Sequence, residues 1–363
     1  MNETSKTLHF TNPLYLQSGR ILEPYDIAYS TYGILNENRD NCILVCHALT
    51  GSQHCSGIID NKLGWWSEII GPNKAIDTNK YFVICTNVIG SAFGSTSPIS
   101  KIYPRDISYR FSFPVITISD MIKAQRILLD TLDIRQLHAI IGGSMGGMQT
   151  LSFAIMYPNI AKKFIALSTT HATSPYIIAF NKIASEAIIS DANFDNGNYD
   201  LECKPMLKGL KIARMSGFLQ YITKETMQKK FGRNYVNSDG LYELFGKFEI
   251  ERYLDYNGEN FCDIFDPLCL LYLLKAINIY DLSYGFVSLE DALKNVKNKL
   301  YLISFSGDSM FFASESKEIK TSMGSIGSTH LCDYYEVESE YGHDSFLVEC
   351  DKYADYLNDI LTS

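Results

Sequence analysis

Short apolar runs at 43–46, 81–86, 137–141, 164–168, 300–304 and 333–337 are rich in β-branched and aromatic residues, too short for helices and apolar at every step. They read as strands buried on both faces. Between them lie patterns with helical spacing. The clearest covers 120–133, with apolar residues at 121, 124, 128 and 132 and Ser119 or Asp120 as the expected N-cap. Strands alternating with helices predict a parallel sheet with helices on both sides. The alternation lapses between Thr170 and Val296, where helical patterns follow one another at 175–189, 209–217, 224–231, 241–254 and 266–279, interrupted by a polar loop at 191–200. It resumes at Lys299. The expected organisation is therefore an α/β core in two parts, 1–170 and 297–363, with a helical lid at 171–296 inserted over the carboxyl ends of the strands.

Charge and composition remove several function classes. Among 363 residues, 32 Lys and Arg face 41 Asp and Glu, a net charge of −9 with no basic stripe, which argues against nucleic acid as a partner. A membrane span is not expected either, because the strongest apolar run, 268–274, ends at Lys275, far short of the ~20 residues a bilayer needs. The first six residues place Glu3 where an export signal wants bases, and no apolar stretch follows, so a cytoplasmic protein is expected. Nine scattered cysteines, none in CxxC spacing, read as reduced thiols, and neither they nor the seven histidines show the spacing of a zinc site.

The segment 137–148 carries the sharpest chemical signal. A strand-like run leads into Gly142-Gly143-Ser144-Met145-Gly146, and a helical run follows from Met148 to Met156. A serine on such a tight turn needs neighbours without side chains, and the helix behind it aims backbone N–H groups at charge developing there. By itself G-x-S-x-G is also an ordinary strand-to-helix turn. A serine hydroxyl is a poor nucleophile at neutral pH and needs a base. In chain order Ser, Asp, His, the partners are available. Asp308 follows the run at 300–304, and His343 follows the run at 333–337. His343 is the expected base and Asp308 the residue that orients it. His9, His138 and His330 read as surface or packing residues. His171 follows the run at 164–168 but would break the chain order. Together these features imply an α/β-hydrolase fold, in which Met145, after the nucleophile, and Leu49 or a neighbour, in the loop after the first apolar run, would supply the oxyanion N–H donors.

Over nearly its whole length the chain resembles the homoserine O-acetyltransferase family. The resemblance rests on His47-Ala48-Leu49-Thr50-Gly51-Ser52, Gly64-Trp65-Trp66-Ser67, Ala75-Ile76-Asp77-Thr78, the run 81–87, the serine segment 142–149 and Gly342-His343-Asp344. It implies ping-pong transfer of an acetyl group from acetyl-CoA, through an ester on Ser144, to the hydroxyl of L-homoserine in methionine biosynthesis. It further implies Ser144, Asp308 and His343 as the triad, Leu49 and Met145 as oxyanion donors, Arg214 for the substrate carboxylate and Asp344 for its ammonium. CoA enters as a substrate, no metal or bound cofactor is implied, and a homodimer is expected. Without the resemblance, Arg214 is an exposed helical arginine and Asp344 a helix cap. The chain also departs from the family, reading Gly94-Ser95-Thr96-Ser97-Pro98 where G-S-T-G-P is usual and lacking prolines after Asp308. These departures keep a succinyl donor open, with Arg105 and Arg110 nearby to meet its distal carboxylate. A serine acceptor stays open as well, and so does a plain serine esterase or hydrolase on the same fold.

Overall fold

The computed structural model describes residues 3–59, 61–203, 206–237 and 242–363. Eight strands form the main sheet: β1 (Glu3–Phe10), β2 (Tyr25–Tyr32), β3 (Cys42–Cys46), β4 (Phe82–Thr86), β5 (Leu137–Gly143), β6 (Ala161–Leu167), β7 (Lys299–Phe305) and β8 (Cys332–Val337), in the order β1-β2-β4-β3-β5-β6-β7-β8. From β4 to β8 the pairs are parallel. The N-terminal edge is antiparallel, with β2 pairing against both β1 and β4. The sheet is thus mostly parallel, and the alternation of apolar runs missed this edge because β1 is polar and largely exposed.

Successive strand residues point to opposite faces, so a run apolar at every position feeds two cores at once. Ile43 and Val45 of β3 join Val83, Ile141, Ile165 and Ile303 on one face, under Trp66 and α11 (Ala354–Thr362). Leu44, with Ile84, Ile140 and Leu302, faces the other way, toward α1 (Ile118–Thr131), α2 (Met145–Met156) and α9 (Ala313–Ser325). Fully burying one such side chain contributes about 1.5–3 kcal/mol, and β3 is buried at every position.

Helix ends differ from the sequence pattern for identifiable reasons. α1 begins two residues before the expected 120. The Thr117 hydroxyl accepts the Asp120 N–H and the Asp120 carboxylate accepts the Thr117 N–H, so Thr117 is the cap and Asp120 the third helical residue of a capping box. Between β6 and β7 lie α3 (Pro175–Ile189), α4 (Lys208–Tyr221), α5 (Lys224–Phe231), α6 (Glu249–Ile264), α7 (Pro267–Asn278) and α8 (Leu289–Leu293). α6 replaces the helix expected at 241–254, whose first residue lies outside the described ones. It starts where Glu251 accepts the Phe248 N–H and continues ten residues further, through Gly258. The closing segment divides into two α-helices. α10 (Ser345–Val348) stops because the Phe346 carbonyl accepts from the Trp66 indole and the Tyr353 hydroxyl, side chains in place of a backbone N–H. The helical excursion is pinned at a neck, where Ala172 bridges to Asp281 and the Leu282 N–H donates to the His171 carbonyl at 2.7 Å.

Candidate active site

The carboxyl ends of β3, β5, β7 and β8 deliver the expected residues to one place. Ser144 terminates β5 with φ 59° and ψ −124°, a left-handed conformation costly for a serine, and its N–H donates to Leu167 O at 3.0 Å. The turn closes this tightly because α2 lies almost on β3. A Cβ at Gly146 would stand 2.1 Å from the Cys46 carbonyl oxygen, a contact only glycine avoids.

Ser144 Oγ lies 2.9 Å from His343 Nε2, and His343 Nδ1 lies 2.9 Å from Asp308 Oδ2. The other Asp308 oxygen accepts the N–H groups of Met310 and Phe311 at 2.9 and 3.0 Å, which fixes the carboxylate and leaves Oδ2 for the imidazole. Asp308 and His343 are buried, and Phe311 and Phe346 flank the ring at 5.3 and 5.8 Å. Burial alone would lower the pKa of His343. The charge and hydrogen bond of Asp308, with the charge of Asp344, outweigh it and leave the pKa above the ordinary histidine value.

The loop carrying His343 is fastened to the end of α4. Thr223 N–H donates to Tyr341 O at 2.8 Å and Asp344 N–H to Tyr221 O at 3.2 Å. Gly342 sits between them at φ 126°, and a Cβ there would meet the Tyr221 carbonyl at 2.6 Å. Asp344 occupies the N-cap position of α10, yet its side chain makes no capping hydrogen bond. Burial raises its carboxyl pKa against the opposing charges of His343 and Arg214.

Arg214, on α4, shares a cavity with Leu49, Gln220, Tyr221 and Met310. Its guanidinium lies over the rings of Phe218, Tyr221 and Phe261 at 4.8, 5.2 and 4.9 Å, and among the described residues no carboxylate forms an ion pair with it. Such a cation is ready for a carboxylate brought by a ligand. Met145 is the first residue of α2, so helix geometry gives its N–H no carbonyl one turn back. Leu49 follows β3 by three residues, and among the described residues nothing accepts its N–H.

Arg105 and Arg110 do not line this cavity. Arg105 is exposed, and Arg110 donates to Gly197 O at 2.5 Å with its guanidinium over Tyr199. Three of the other histidines have engagements elsewhere: His9 with Asp26, His138 with Leu361 O, and His171 with Glu318. Tyr221, whose ring is 6.4 Å from that of His343, is not marked in the sequence, because a tyrosine closing a helix carries no signal of its own. An apolar cavity of about 290 Å³ behind α2, lined by Val115, Ile155, Ile279 and Leu282, holds none of the expected site residues.

Residues 41–349 match a family model described as alpha/beta hydrolase fold. The chain is 56% identical to a homoserine O-acetyltransferase of Sulfurimonas autotrophica over 365 residues, covering 99% of each. It is also 56% identical to one of Nautilia profundicola over 366 residues, again 99% of each. Among solved structures, the homoserine O-acetyltransferase of Bacillus anthracis matches with a TM-score of 0.93 at 27% identity, over 100% of this chain and 98% of that one. An esterase matches with a TM-score of 0.89 at 25% identity, over 99% and 100%.

Proposed function

The chain belongs to the homoserine O-acetyltransferase family of the α/β-hydrolase fold, and we propose that it moves an acetyl group from acetyl-CoA to the hydroxyl of L-homoserine through an ester on Ser144. In the first half-reaction His343 Nε2 takes the Ser144 proton as Oγ attacks the thioester carbonyl. The N–H groups of Leu49 and Met145 receive the developing oxyanion, the C–S bond breaks, and the CoA thiolate leaves with the proton from His343. Homoserine then gives its hydroxyl proton to His343 and attacks the ester. Ser144 departs and regains that proton. Asp308 holds the imidazole with its proton on Nδ1 and stabilises the imidazolium formed in each half.

The observation that carries the reading is a pair of opposite charges close to the base: Asp344 adjoins His343, and Arg214 is near enough to act on the charge of Asp344. Arg214 is a cation with no carboxylate in ion-pair contact among the described residues, and Asp344 is a half-buried carboxyl whose side chain caps nothing, next to the base. Together they suit the carboxylate and ammonium of an α-amino acid. An esterase, which uses water, has no need of them. A succinyl donor would bring a second carboxylate to a cavity whose arginine is Arg214, so acetyl is the donor this arrangement favours.

The same reading includes a homodimer, supported by exposed apolar side chains on α3 and α4, including Ile183, Ile212 and Leu219. It includes a cytoplasmic location, supported by nine free cysteines. No helix among the described residues is long and apolar enough to cross a membrane.

A panel of acetyl- and succinyl-CoA against homoserine and serine, with ester hydrolysis measured with and without homoserine, tests the reading. Acetyl-CoA with homoserine is expected to turn over fastest. Strong hydrolysis indifferent to homoserine would point to an esterase instead.

A further inference from the structure

The two proposed oxyanion donors are held by different means. Met145 opens α2, and the helix fixes its N–H. Leu49 lies in a loop, where a peptide unit is free to turn over, and a turned peptide would present a carbonyl oxygen to the oxyanion. The Ala48 carbonyl is fastened from two sides. The Gly51 N–H donates to it at 3.0 Å, and His47 Nδ1 lies 2.7 Å from it. In a trans peptide the C=O and the following N–H point in opposite directions, so holding the Ala48 oxygen aims the Leu49 N–H the other way.

The imidazole is itself fixed. Its Nε2 lies 3.0 Å from the Val88 backbone N and 3.4 Å from Asn87 Nδ2, both donors. Nε2 must therefore accept, and the ring proton resides on Nδ1, facing the Ala48 oxygen. His47 is fully buried, and burial pushes its pKa down to about 4, so this neutral tautomer persists at neutral pH. Gln149 Nε2 donates to both His47 O and Met145 O, at 3.1 and 3.2 Å, tying the loop to the helix that carries the other donor.

We infer that His47 is a positioning residue for acyl transfer: its Nδ1–H holds the Ala48 carbonyl and so aims the Leu49 N–H at the oxyanion. The inference rests on the acyl-Ser144 reading above. It gives His47 no part in proton transfer, which belongs to His343.

Two amide variants separate the contacts. In His47→Asn the side-chain N–H reaches about where Nδ1 stood and keeps the Ala48 oxygen. In His47→Gln the amide reaches toward the Nε2 position and keeps Val88 instead. The measurements are the first-turnover rate of CoA release, the acetyl-CoA KM, and the ratio of acylation rates by p-nitrophenyl acetate and its thionoester, whose sulfur accepts backbone hydrogen bonds poorly. His47→Gln is expected to acylate about 10²-fold more slowly with KM nearly unchanged and a narrowed oxo-to-thiono ratio. His47→Asn is expected to stay within about tenfold of the parent and keep the ratio. Because each ratio is taken on one sample, a reduced folded fraction cancels. Equal rates for the two variants, or an unchanged ratio in His47→Gln, would overturn the inference. A parent protein that forms no acetyl-Ser144 adduct would instead overturn the reading on which it rests.

Discussion

His343 works as a base only when neutral, and the carboxylates of Asp308 and Asp344 hold its pKa above the ordinary value. Acylation of Ser144 should therefore rise with pH through that raised pKa. Asp344→Asn removes one of the charges responsible, so the acidic limb of the acylation profile should move to lower pH. A pH series of first-turnover CoA release, run without homoserine, checks this without involving the substrate ammonium. A second titrating group lies nearby. Burial, then the charges of Asp308 and Glu318, push the Glu315 carboxyl up to about 7, and its Oε2 has no hydrogen-bond partner among the described residues. Between the ordinary glutamate range and about 7 the folded chain keeps a proton that the unfolded chain has released, so this contribution to stability is lost as pH rises through that window. Glu315→Gln should raise Tm at about pH 8 and leave it unchanged at about pH 4, as thermal melts would record. Ser144, Asp308 and His343 were legible as residues because chain order and the glycine turn mark them. Tyr221 and the positioning role of His47 were not, since their significance lies in contacts made across the fold.

Elements translate these residues into geometry. α2 and β3 approach so closely at Gly146 and the Cys46 carbonyl that an added methyl must displace backbone. Gly146→Ala is expected to destabilise the protein by roughly 3 kcal/mol or more and to slow acylation, measured by chemical denaturation and first-turnover kinetics. On α4, Arg214→Ala removes the cation and leaves the triad untouched, so the homoserine KM should rise roughly 10- to 100-fold while acylation by acetyl-CoA stays near the parent rate. Equal damage to both half-reactions would remove Arg214 from the carboxylate role. Six strands could be read from the sequence because helices cover both faces of the sheet's interior and demand unbroken apolar runs. β1 escaped because an antiparallel edge strand tolerates polar residues such as Ser5, Lys6 and Thr7, and β2, paired on both sides, because Asp26, Ser30 and Thr31 interrupt its apolar run. The ends of α1 and α6 depend on which carboxylate reaches back to a backbone N–H, and the break after α10 depends on Trp66, 280 residues away from its partner Phe346.

At the scale of the whole molecule, one sheet gathers loops from β3, β5, β7 and β8, and the helical excursion adds Arg214 from above. If the exposed apolar side chains of α3 and α4 meet a second copy, sedimentation should give twice the chain mass, and Ile212→Glu with Leu219→Glu should return it to one. A covalent intermediate held at the serine turn is what acyl transfer by this molecule requires above all. Mixing the protein with acetyl-CoA in the absence of homoserine, quenching within one turnover and mapping peptides by mass spectrometry tests it directly. The predicted result is one acetyl group on Ser144 with an equivalent of free CoA, discharged when homoserine is added and absent from Ser144→Ala. Acetyl transfer to homoserine with no adduct on Ser144 under those conditions would contradict the proposed mechanism.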